Sequence, residues 1–176
     1  FGDDSMYKWS LGPKDTKEIV AYAYDKGINF FDTANQYSNG TSEEYLGKAI
    51  KDLGIRREDV VIASKVFFNE GGLSKEAIKR EIDQSLLRLG TDYLDLYLIH
   101  RFDYNVPIEE TMEALNDLVK SGKVRSLGSS SILAYQLLQY QNFAKEKGYA
   151  RFEVMENHYN LLYREEEREM IPLCKE

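Results

Sequence analysis

Four residue types that could share one proton-transfer task fall at or just past the ends of three apolar strand-like runs. Asn29-Phe30-Phe31-Asp32-Thr33-Ala34 runs into an acid, and one short loop later comes Tyr37. Val60-Val61-Ile62-Ala63-Ser64 ends on Lys65, and Leu94-Asp95-Leu96-Tyr97-Leu98-Ile99 ends on His100. An ammonium is costly to bury alone, and Asp32 on the preceding strand could offset that cost. A lysine close to a phenol favours the phenolate and draws its pKa down from ~10 toward the working range of a general acid or base. His100, as a neutral imidazole, can hydrogen-bond a substrate oxygen without setting a second full charge beside Lys65. Such a set suits a carbonyl oxygen that becomes an alkoxide, with the hydride coming from a cofactor because no side chain donates one. A purely structural Asp32–Lys65 ion pair is the plainer reading, and Tyr37 alone would mean little among 13 tyrosines.

The elements that must position these residues alternate. Helical periodicity marks Asp15 to Lys26, with Asp15 as cap and Gly27 as stop, then Ser42 to Leu53, Ser74 to Leu89 ending at Gly90, Ile108 to Ser121, and Ala134 to Lys147. Between them lie the strands Asn29 to Ala34, Val60 to Val66, Leu94 to His100, Val124 to Ser129 and Phe152 to Asn157, and a last helix is expected from Arg164. Helix and strand alternating over near-continuous apolar strands predict an α/β protein whose strands are parallel and buried on both faces. Right-handed crossovers then bring all strand C-termini to one side. A doubly wound open sheet shows the same alternation, but no strand leads into its G-x-G-x-x-G turn. The expectation is a parallel (β/α)8 TIM barrel. A full barrel takes about 250 residues, and only five βα units are legible here. The chain, 1–176, therefore reads as a single domain supplying an incomplete barrel, with the first strand and last two units absent, because an open sector would leave edge strands and an apolar interior uncovered.

Composition narrows the classes. The 176 residues carry a formal charge of −7 and are 43% hydrophobic and 30% charged, a balance suited to a globular domain. Acids and bases are mixed along the helices without a basic stripe, which argues against nucleic acid as a partner. No apolar run nears the roughly 20 residues of a membrane span, and the first residues lack a signal-peptide layout, so a cytoplasmic setting is the default expectation. Cys174 is the one cysteine, which precludes an internal disulfide or a multi-thiolate metal site, and packing near the chain end is its expected role.

The segments Gly-Ile-Asn-Phe-Phe-Asp-Thr-Ala-Asn-Gln-Tyr (27 to 37), Ile-Ala-Ser-Lys (62 to 65), Arg-Leu-Gly-Thr-Asp-Tyr-Leu-Asp-Leu-Tyr-Leu-Ile-His (88 to 100) and Ser-Gly-Lys-Val-Arg-Ser-Leu-Gly-Ser-Ser-Ser (121 to 131) closely resemble the aldo-keto reductases, in the same order. Asn157 to Arg164 resembles the branch holding aryl-alcohol dehydrogenases and potassium-channel β subunits. The resemblance implies an eight-stranded barrel and NADPH-dependent reduction of aldehydes or ketones to alcohols. It places a catalytic tetrad on Asp32, Tyr37, Lys65 and His100, with Tyr37 as proton donor. It also implies carboxamide contacts to the nicotinamide from a Ser-Asn pair after the fifth strand and a Gln on the sixth, positions occupied here by Ser130, Ser131 and Glu156. Asp32 would also lie by the cofactor. Glu156 is a departure, since a carboxylate cannot donate a hydrogen bond and brings negative charge toward the nicotinamide. The loop Phe67 to Gly72 is shorter than in that branch. The contacts that would separate NADPH from NADH lie past Glu176.

Alternatives accompany these assignments. A cofactor-sensing regulatory subunit, like the channel β subunits, would keep the same tetrad and turn over little. Ser129 to Ser131 could be an ordinary strand-to-helix cap. His158 reads as structural, Tyr7 and Trp9 fall where the family often lines its pocket, and Glu165 to Glu169 reads as a solvated helix face. Substrate identity and oligomeric state have no signature in these residues.

Overall fold

A computed structural model describes all residues, 1–176. Five parallel strands form one sheet in chain order: β1 (Phe30–Asp32), β2 (Val61–Val66), β3 (Leu94–Ile99), β4 (Val124–Ser130) and β5 (Phe152–Glu156). The helices α1 (Pro13–Asp25), α2 (Thr41–Asp52), α3 (Lys75–Leu89), α4 (Ile108–Lys120) and α5 (Ala134–Lys147) alternate with them, and consecutive helices from α1 to α5 pack side by side. The result is a half-barrel with its helices outside, a partial (β/α)8 barrel.

The strand period of two explains the layers. Ile62, Val66, Tyr97 and Ile99 face the helices and join a buried core with Leu46, Ile50, Ile78, Ile82, Met112 and Leu115. Ala63, Leu96 and Leu98 face the concave side and form a small cluster of their own. Gly128 belongs to that side, where an added Cβ would lie 3.0 Å from Leu98 Cγ and 3.1 Å from the Val154 carbonyl oxygen. A side chain there would press on Leu98 and on the β5 backbone.

The expectation of strands buried on both faces holds for β2 to β4 and fails at the edges. Phe30 on β1 is 51% exposed and Val154 on β5 is 40% exposed, because each edge strand has a neighbour on one side only. Helix starts also differ in detail. Gly12 caps α1, with Pro13 at its first position, so Asp15 is an acid in the first turn rather than the cap. Ser74 does cap α3, its hydroxyl accepting from the Ala77 N–H at 3.3 Å, and Gly90 closes that helix at φ 66°. The helix expected from Arg164 is broken into a 3-10 turn at Glu165–Glu167 and the single turn α6 (Met170–Leu173). Pro172 has no N–H to give Arg168, so one continuous helix across this stretch would lose a bond. Cys174 is exposed rather than packed. No helix is long and apolar enough to cross a membrane.

Candidate active site

Parallel register brings the strand ends together. Asp32 pairs with Ala63, Lys65 with Leu98, Ile99 with Ser129, and Ser130 with Glu156. The carboxylate of Asp32, the ammonium of Lys65 and the carboxylate of Glu156 thus open on the same end of the sheet. Lys65 is fully buried, 0% exposed. Its Nζ donates to Asp32 Oδ2 and to the Thr33 carbonyl oxygen at 3.2 Å, and lies 3.4 Å from Glu156 Oε1. Asp32 and Glu156 stand on opposite edges of the sheet. In a flat sheet four strand spacings would separate them by about 19 Å, so their meeting on one ammonium shows how far the sheet has curled.

The electrostatics follow from this cluster. Burial pulls the Lys65 ammonium toward neutrality, but the charge and hydrogen bond of Asp32 overcome it, with Tyr37 and Glu156 adding to the rise, and the net shift is upward. Lys65 is held charged. Burial lifts the Asp32 carboxyl above its ordinary value, Lys65 pulls it back, and the like charge of Glu156 adds to the rise. His100 is buried, and burial, then Lys65 and Arg101, press its pKa down to about 4. The imidazole is therefore neutral at pH 7. Its Nδ1 is buried without a hydrogen-bond partner.

Tyr37 closes the group. The Lys65 ammonium lies 5.2 Å from the centre of its ring, and the His100 ring meets it edge-on at 5.6 Å. Phe68 packs on His100 at 5.1 Å. The backbone after Tyr37 is unusual, with Ser38 at φ 46°, Asn39 at φ 53° and Gly40 at φ 93° in succession. Left-handed non-glycine residues cost energy and persist where the surroundings impose them. A Cβ on Gly40 would sit 2.8 Å from Arg88 Cδ, so the Arg88 side chain packs against this turn.

That support escaped the sequence reading. Glu43 is an acid in the first turn of α2, yet its carboxylate is fully buried, accepting from Arg88 Nε at 2.6 Å and from Ser64 Oγ at 2.5 Å. It ties α2 to α3 and to the strand carrying Lys65. The signal lay in its phase, since positions 43, 46 and 50 share one helical face with Leu46 and Ile50. Asp103 was missed as well. It accepts the Leu73 N–H at 3.0 Å and the Asn105 N–H at 2.9 Å, and its Oδ2 leaves no room for a Cβ on Gly72. The short loop Phe67 to Gly72 is thereby closed on the next loop.

The serines do not cap α5. Its cap is Leu133, whose N–H donates to Gln136 Oε1 at 2.8 Å. Ser130 ends β4, buried, while Ser131 is exposed at φ 52° with its N–H shared by the Glu156 carbonyl and Asn157 Oδ1, each at 3.0 Å. Their hydroxyl oxygens are 3.4 Å apart. Tyr7 and Trp9 stack at 4.8 Å and share with Tyr37 a cavity of about 350 Å³, completed by Phe1, Ser10, Leu11 and Ser38. His158 stacks on Tyr163 at 4.7 Å and lies 2.9 Å from the Asn160 amide, a local turn contact.

Comparison with known proteins agrees with this architecture. The description of the Aldo/keto reductase family matches residues 1–176. An aldo-keto reductase of Fusarium vanettenii is 45% identical over 203 residues, covering 99% of this chain and 55% of the relative. Versiconal hemiacetal acetate reductase of Aspergillus parasiticus is 42% identical over 197 residues, 99% of this chain and 57% of that protein. A Schizosaccharomyces pombe protein provisionally named an aryl-alcohol dehydrogenase is 45% identical over 185 residues, 90% of this chain and 52% of its own length. The chain belongs to the aldo/keto reductase family and spans about half the length of the curated relatives it matches. The first of these matches extends over 203 residues against the 176 of the chain, so that relative carries residues with no counterpart here.

Proposed function

We propose that the protein reduces aldehydes or ketones to alcohols, with Tyr37 giving the proton that the carbonyl oxygen takes up. Lys65, charged and fixed by Asp32, stands over the Tyr37 ring, and neutral His100 orients the carbonyl by a hydrogen bond. A reduced nicotinamide, when bound, supplies the hydride. The observation that carries the reading is the fully buried ammonium of Lys65, held by Asp32 and facing the Tyr37 ring at 5.2 Å, with the His100 ring on the same tyrosine. A structural ion pair alone needs neither the tyrosine nor an unpartnered imidazole nitrogen.

The residues present fit the cofactor. A carboxamide needs donors for its oxygen and an acceptor for its NH2. Ser130 and Ser131 offer hydroxyl donors, and Glu156, paired with Ser130 in the register and half-exposed, offers an acceptor. Glu156 cannot donate, but the carboxamide NH2 needs only an acceptor. The names of the relatives, reductase and dehydrogenase, describe two directions of one carbonyl–alcohol interconversion. The exposed lumen sides of Phe30 and Val154 support completion of the barrel by further strands outside 1–176. NADPH is the nucleotide we assign, from the family resemblance.

The test is oxidation of NADPH by an aromatic aldehyde with the intact protein, compared with NADH. Tyr37→Phe should lower kcat by about 10²- to 10⁴-fold, the usual worth of general acid catalysis, while nucleotide binding persists. A variant that keeps most of the wild-type rate removes the assigned role.

A further inference from the structure

Lys65 meets two carboxylates, where one would neutralise it. Asp32 and Glu156 both contact Nζ, so the three groups at the mouth together carry one negative charge. The other charges nearby do not depend on position 156. Glu43 is matched by Arg88, and His100 is neutral at pH 7. Arg101 donates to the His100 carbonyl oxygen at 2.5 Å and lies over Phe68 at 5.6 Å, a background that a change at position 156 does not alter. Glu156 is 45% exposed, and one of its oxygens faces Lys65, leaving the other for a ligand.

A hydride donor must come within about 3–3.5 Å of the carbonyl carbon it reduces. With the carbonyl oxygen at Tyr37 and His100, the donor ring would have to come to the same mouth as Lys65 and its carboxylates. In the reduction, a C–H bond of the dihydronicotinamide breaks with both electrons passing to the carbonyl carbon, and the carbonyl oxygen takes the Tyr37 proton. The nicotinamide is left with one more positive charge than before. A carboxylate at the mouth therefore interacts differently with the two redox forms, whereas the phosphates common to both cancel in the comparison.

We propose that Glu156 selects the oxidised nicotinamide nucleotide over the reduced one, so that the resting site is biased toward occupancy by NADP⁺. This rests on the nicotinamide reading of the site. Asp32 is committed to Lys65, and Glu156 is the residue whose charge is left over. A neutral amide at 156 would leave the ion pair balanced and the bias gone.

The experiment titrates NADP⁺ and NADPH separately onto the intact protein at pH 7 and compares the ratio of their Kd values, oxidised over reduced. Glu156→Gln should raise that ratio by about tenfold, the size a half-exposed charge exerts across one side-chain layer. Glu156→Asp, which keeps the charge, should stay near wild type. Glu153→Gln removes an exposed charge from the same strand beside Arg125 and Arg151, and should leave the ratio unmoved. In the wild-type protein the ratio should climb with salt, as screening weakens the carboxylate; this arm needs no variant to fold. An unchanged ratio in Glu156→Gln, an equal change in Glu153→Gln, or a salt-independent wild-type ratio overturns the proposal. If neither nucleotide binds wild-type protein, the nicotinamide reading itself fails, an outcome distinct from both binding without a shifted ratio.

Discussion

The two ends of the sheet use the same ion-pair chemistry to different ends. At the N-terminal end, Asp95 is shared by two cations, accepting from Arg57 at 2.7 Å and Arg125 at 3.0 Å, while it also takes the Ile62 N–H at 3.0 Å. Both guanidiniums stack on Tyr93, at 4.0 and 3.9 Å from its ring centre, and Arg57 spends further donors on Thr91 and on the Val60 and Tyr93 carbonyls. Every group there has a partner. At the C-terminal end, one buried ammonium is shared by two carboxylates, an imidazole nitrogen has no partner, and the backbone after Tyr37 stays left-handed for three residues. A cluster built for stability satisfies itself. The mouth is left unsatisfied in ways that a ligand can complete, which is where sequences depart from local rules.

Removing the hidden support of the mouth should have the largest effect on folding. Glu43→Ala leaves Arg88 without its buried partner and should cost about 3–5 kcal/mol, read as a lowered urea midpoint at constant slope. A loss below 1 kcal/mol would place Glu43 with the surface pairs and blur the contrast.

Protonating the mouth comes next. Unfolded His100 takes its proton near the ordinary 6.5, whereas in the fold it does so only at about 4. Between those values the unfolded chain holds more protons, so stability is full above pH 6.5, falls as pH drops toward 4, and falls no further on this account below it. The loss should be roughly 3 kcal/mol, and His100→Gln should flatten that part of the urea stability profile. An identical acid dependence in the variant would assign the titration elsewhere.

The smallest effect belongs to the opposite end. Asp95→Asn should destabilise by about 1–2 kcal/mol, since the pair is partly exposed and its arginines keep other acceptors. Turnover per folded molecule should be unchanged. A matching fall in kcat would mean that the two ends are coupled and that the comparison is too sharp.

Much of this was legible before any coordinates. The helix over 134–147 and the strands ending near Lys65 and His100 follow from periodicity, and the end of the helix before His100's strand from Gly90 as a left-handed stop. The role of Glu43 went unread because an acid in a first turn normally faces water, whereas this one is buried against α3. The Ser129 to Ser131 alternative turned on where α5 begins, and Gln136 reaching back to Leu133 decided it. The last helix failed because Pro172 outweighed the acidic run before it.

Residue order alone determined that Asp32, Lys65 and His100 come at the ends of successive strands, because a period of two and an apolar run leave few other registers. It could not determine how many carboxylates Lys65 would meet. Asp32 and Glu156 are 124 residues apart on opposite edges of the sheet, and only the curvature of the folded sheet, set by the packing of five helices on its convex side, carries both to one ammonium.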